Sequence, residues 1–137
     1  MPDSNTPESN APESNTNVRE TLNGFFRAVE SMHVDRIAPF FEEDAQMFSP
    51  LGTYPARLDG RAAILAQFKA IADAIKQMPS PLKIDPQQLI VREFGDFAIV
   101  TFHLNLPGPL HRRTFILHRT VTNWRIAHIH ASAATPT

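Results

Sequence analysis

Trp124-Arg125-Ile126-Ala127-His128-Ile129-His130-Ala131-Ser132 reads as a β-strand with two imidazoles in its second half. Strand side chains alternate between faces. Strict alternation puts Trp124, Ile126, His128, His130 and Ser132 on one side, and Arg125, Ala127, Ile129 and Ala131 on the other. A pair of polar rings on an otherwise apolar strand marks either a site or a hydrogen-bonded interior.

Working backwards, Arg112 to Val121 forms the preceding strand, joined to the first by a turn at Thr122-Asn123. Pro107-Gly108-Pro109 breaks the chain ahead of it, and Leu82 to Phe94 turns through Gly95-Asp96 into Phe97 to Leu106. In that last strand Ala98, Val100, Phe102, Leu104 and Leu106 share one face, and Phe97, Ile99, Thr101, His103 and Asn105 the other. In the next, Phe115, Leu117, Arg119 and Val121 oppose Thr114, Ile116, His118 and Thr120. Both faces of this antiparallel meander therefore carry apolar residues. An open sheet in water keeps one face wet. Helices should cover one face, and a second copy of the chain is the simplest cover for the other.

Helical periodicity lies N-terminal to the meander. Asn17 with Glu20 makes a capping-box pattern, and Val18, Leu22, Phe25, Phe26, Val29 and Met32 follow at helical spacing to near His33. A short second helix is expected from Asp35, carrying Ile37, Phe40 and Phe41 and bending at Pro39. Ala45 to Ser49 reads as a short strand, and Pro50 to Pro55 as a loop. Asp59-Gly60 precedes a third helix with its stripe at Ile64, Phe68, Ile71, Ile75 and Met78, stopped by Pro79 and Pro81. Helices first and strands second predict an α+β fold.

The 137 residues suit one domain with a modest core. Residues 1–16 repeat a Pro-acid-Ser-Asn unit with almost nothing to bury, which predicts a disordered low-complexity tail, either a solvated leader or a docking segment. The folded domain is expected over 17–133, with a flexible C-terminus at 134–137. A net charge of −1 argues against a nucleic-acid partner. No apolar run is long enough to span a bilayer and no secretory leader is visible, so no membrane partner is expected. Cysteine is absent, which excludes thiolate chemistry and fits a cytoplasmic location. Arginine outnumbers lysine 10 to 3, a balance that suits carboxylate or phosphate recognition and equally reflects codon usage.

Phe48-Ser49-Pro50-Leu51-Gly52 followed by Asp59-Gly60 resembles the first strand and loop of the nuclear transport factor 2-like superfamily, in its SnoaL-like branch. Leu117-His118-Arg119, Trp124 and His128 to Ser132 are similar to the end of the calcium/calmodulin-dependent protein kinase II association domain. The resemblance spans about residues 18–133. It implies a cone-shaped domain, three N-terminal helices on a curved, mostly antiparallel sheet, with a ligand pocket between the two layers. It also implies homodimers or rings formed through the outer face of the sheet. The superfamily hosts isomerases, cyclases, dehydratases, binders and assembly modules, so the fold does not choose among them. Where the association domain carries carboxylate-binding arginines, this chain has Asn105 and Phe115, with Arg119 on the same face as a substitute. Where related isomerases and cyclases use a pocket aspartate, the stretch from Phe97 to Ser132 holds no carboxylate.

The catalytic candidates are accordingly the imidazoles of His103, His128 and His130, which titrate near neutrality, with a satisfied interior or interface as the alternative role. His128 and His130 with either His103 or His118 could supply three nitrogens to a metal, but no carboxylate stands by to orient the rings, so neither metal nor cofactor is expected. The ligand-binding candidates are Phe26, Phe40, Tyr54, His103, Asn105, Phe115 and Arg119. Arg119 among apolar neighbours needs a ligand anion or an internal acid as partner. His118 is expected on the outer face, and Arg112-Arg113 reads as a solvated strand start. The expected activity is binding of a small apolar or carboxylate molecule, with proton transfer of the isomerase or cyclase type. The alternative is a homo-oligomeric assembly module without chemistry.

Overall fold

The computed structural model describes residues 17–49, 57–77, 81–104 and 110–134. The expectations for the tail, for the loop at 50–55, for Met78 and Pro79, and for residues 135–137 lie outside it. Helix α1 (Val18–Ser31) begins as its sequence dictates: the Asn17 side chain accepts from the Glu20 backbone N–H at 2.8 Å, and the Glu20 carboxylate accepts from that of Asn17 at 3.1 Å. Helix α2 (Val34–Ile37) is one turn, followed by a 3-10 turn at Ala38–Phe40. Phe41 does not continue this helical segment. Its backbone is extended, and it opens strand β1 (Phe41–Phe48), four residues before the expected start. A two-residue strand β2 (Leu58–Asp59) that periodicity missed pairs with β1. Gly60, with φ of +93°, turns the chain into α3 (Arg61–Ile75).

The meander comprises β3 (Pro86–Phe94), β4 (Phe97–Leu104), β5 (Leu110–Arg119) and β6 (Trp124–Ala134). β3 starts later than expected because residues 81–85 are held by α1 rather than by the ladder. The Ile84 N–H donates to Glu30 at 2.6 Å, and Arg27 donates to the Ile84 carbonyl at 3.0 Å. Ala134, expected in the flexible C-terminus, is the last residue of β6 and pairs with Leu110. The six strands run β2-β1-β6-β5-β4-β3, antiparallel except for β1 against β6.

Helices cover one face of this sheet. Val18, Leu22, Phe25 and Phe26 of α1, Ile37 of α2 and Ile64 of α3 join Phe41, Met47, Val100, Phe102, Phe115, Leu117, Ile126 and Ile129 in one core. Phe25 is its hub, meeting Phe40, Phe41, Phe68 and Phe115 edge-on at 5.6–6.1 Å between ring centres. Edge-on packing sets the positive rim of one ring against the negative face of another. Each fully buried Phe contributes roughly 1.5–3 kcal/mol by leaving water. None of the helices among the described residues is long and apolar enough to cross a membrane.

Candidate functional site

The strand that carries the two imidazoles does not alternate strictly. Ile116 of β5 stands opposite His128, but Leu117 stands opposite Ile126, so Ala127 is an extra, unpaired residue. A bulge of this kind shifts the side-chain phase by one. Trp124 and Ile126 are buried under the helices, and so are Ile129 and Ala131 beyond the bulge. His128 and His130 therefore turn to the open face, away from Trp124 and Ile126, which corrects the single-face reading. There they pack on Phe48, at 5.8 and 5.2 Å between ring centres.

His103 also stands on the open face, between Gln87 and Arg112 in register. His118 joins it as expected. Its Nδ1 lies 2.8 Å from a Glu42 carboxylate oxygen, and its ring stacks on Phe97 at 4.7 Å. No carboxylate is local in sequence to these imidazoles; the parallel pairing of β1 with β6 brings Glu42 across. Among the described residues, no three His or acidic side chains are placed to share an ion.

Burial presses the His128 ring below its ordinary pKa, and the neighbouring His130 adds to the effect. Two imidazoles two residues apart on one face oppose each other's protonation.

On the helix-covered face, Phe26 and Phe115 are 2% and 3% exposed and belong to the core, while Phe40 packs half-buried against it. Among the described residues no acidic side chain pairs with Arg119. Its guanidinium lies 4.9 Å above the Trp124 ring and donates to the Gly95 carbonyl at 3.4 Å. Tyr54 and Asn105 lie outside the described residues.

Two polar groups on this face were missed by the sequence reading. The register of β5 runs unbroken from Leu110 to Ile116, so His111, Arg113 and Phe115 point the same way. Arg113 is not a solvated strand start. It stands between Phe102 of β4 and Ala131 of β6, and burial lowers its pKa. It remains a cation at any ordinary pH. Its Nη1 donates to the carbonyls of Arg112 at 3.0 Å and Ser132 at 3.5 Å, and no carboxylate among the described residues lies within ion-pair distance. His111 stands between Leu104 and Ala133, and its Nδ1 is buried with no hydrogen-bond partner. An unmet buried polar group costs about 1–3 kcal/mol. Extending the Phe115 and Leu117 alternation two steps back would have revealed both residues; the Arg-Arg pair argued for solvent instead.

Helices roofing one face of a curved, mixed and mostly antiparallel sheet define the nuclear transport factor 2-like, or cystatin-like, class. Within it the chain belongs to the SnoaL-like domain family, which residues 18–136 match. A nuclear transport factor 2-like protein of unknown function from Pseudomonas putida is 20% identical, with a TM-score of 0.74 over 88% of this chain and 86% of that one. A candidate calcium/calmodulin-dependent protein kinase type II association domain from Thiobacillus denitrificans is 19% identical, with a TM-score of 0.73 over 88% and 98%. A candidate dehydratase of the same class from Streptomyces avermitilis is 20% identical, with a TM-score of 0.74 over 87% and 94%. At such identities the likeness establishes the fold. No curated protein matches the chain.

Proposed function

We propose that this SnoaL-like domain binds a small, largely apolar molecule between its helices and the covered face of its sheet. One observation carries this reading: His111 and Arg113 stand on an otherwise apolar face with hydrogen-bonding capacity that the described residues do not use. Ligand sites characteristically combine apolar walls with a few such groups. Proton transfer of the isomerase or cyclase type would then fall to His111, because His103, His128 and His130 lie on the opposite face. The test is a thermal-shift panel of hydrophobic carboxylates, steroids and polyketide-like rings. A raised midpoint with at least one class is expected. Indifference to every class removes the reading.

A specific observation also favours self-association. Phe48, Ile90, Phe94, Phe97 and Leu110 are large apolar side chains left exposed, and all five stand on the open face. Covering such a patch is the usual reason for its existence. We infer a homodimer through this face, with ligand binding and assembly on opposite sides of one sheet. Light scattering at micromolar concentration should report a dimer, and the pair Phe94→Glu and Phe97→Glu should convert it to monomer. A wild-type monomer would reject the inference.

A further inference from the structure

We propose that His111 and Arg113 form an anion-binding end to that ligand space, taking the carboxylate of an otherwise apolar ligand. The proposal rests on the small-molecule reading above and narrows it to one chemical class.

Arg113 is a half-buried cation whose partners among the described residues are two backbone carbonyls, both met by Nη1. Carbonyl dipoles orient a guanidinium without neutralising it. Among the described residues no carboxylate lies within ion-pair distance of it, and β4, β5 and β6 carry no Asp or Glu. Glu30 holds Arg27 and the Ile84 N–H, and Glu42 holds His118 on the opposite face. A positive charge placed this way favours an external anion and disfavours a cation.

His111 and Arg113 are two residues apart on one unbroken strand face. Their α-carbons are therefore about 7 Å apart, a span that one carboxylate held by both side chains can bridge. The imidazole Nδ1 that lacks a partner supplies a second hydrogen bond beside the charged one.

Phe102 and Leu104 flank the pair on β4, and the small side chains of Ala131 and Ala133 flank it on β6. The Phe102 ring continues into Phe26 and Phe115, at 5.4 and 5.2 Å between ring centres. One guanidinium beside one imidazole, walled by apolar groups, matches a carboxylate on an apolar body. A doubly charged phosphate would leave charge uncompensated against those walls.

The experiment is calorimetric titration of the full chain with benzoate, with benzamide as its neutral counterpart, and with inorganic phosphate. Benzoate is expected to bind at least about tenfold more tightly than either. Arg113→Gln should bring benzoate to the benzamide level, Arg113→Lys should restore part of the difference, and His111→Phe should weaken benzoate. Arg36→Gln, which removes an equal charge from exposed α2, should change nothing. Equal binding of benzoate and benzamide by the wild-type protein overturns the anion assignment and leaves the broader reading standing. So does a preference that survives in a folded Arg113→Gln. Failure of both probes, and of every compound in the thermal-shift panel, removes both.

Discussion

The two faces of the sheet are built from the same strands and differ in what they leave unfinished. The covered face is complete in its apolar part, where rings from three helical segments and two strands close on Phe25, and among the described residues it is left unfinished at His111 and Arg113. The open face pairs Glu42 with His118 and Ser132 with Arg112, leaves the buried Arg125 Nε without a partner, and leaves five large apolar side chains exposed. Unmet polarity amid apolar walls invites a small polar ligand. Unmet apolar area invites a broad apolar cover. The contrast separates two functions that the fold class leaves mixed.

Shifting the phase of β6 should break the contrast most severely. Deleting Ala127 alone removes the unpaired residue and keeps Ile129 and Ala131 under the helices, whereas deleting Ala127 and His128 together turns Ile129 and Ala131 outward and His130 into the core. An imidazole buried without a partner, at about 1–3 kcal/mol, adds to the lost burial of Ile129. Loss of a cooperative thermal transition is expected for the double deletion only, and equal midpoints for the two deletions would refute the role given to the bulge. Phe25→Ala should cost about 3–5 kcal/mol in urea denaturation, since it empties the centre of the ring cluster. A cost below about 1 kcal/mol would mean that the covered face is not closed around this residue.

The smallest effect belongs to the open face. The folded-state pKa of His128 is depressed, so the unfolded chain binds more protons as pH falls below the ordinary value of 6.5. Its contribution to stability is intact above that pH and is lost as pH falls toward the folded pKa. The melting midpoint should therefore decline more steeply on the acid side of neutrality in the wild-type protein than in His128→Asn. Parallel declines would show that His128 is indifferent to its surroundings.

Much of this fold is legible locally. The capping box at Asn17 and Glu20, the turn at Gly95 and the stripe of α1 each follow from residues within a few positions of one another. The same reading failed wherever a distant partner decided. Phe41 leaves the helix because β6 offers it a ladder beside Ile126. Glu42 reaches His118 from 76 positions away. The candidate site was half-legible: alternation with Phe115 places His111 and Arg113 correctly, while their polarity suggests solvent.

Periodicity and capping are short-range effects, and they set the types of the longer elements, the two-sided apolar character of the meander and the resemblance to its superfamily. The face that each imidazole occupies, and the arginine that stands on the helix-covered face, were fixed by long-range contacts. Those outcomes depend on one unpaired residue at Ala127 and on where the helices dock, and both are settled by pairing and packing between segments far apart along the chain.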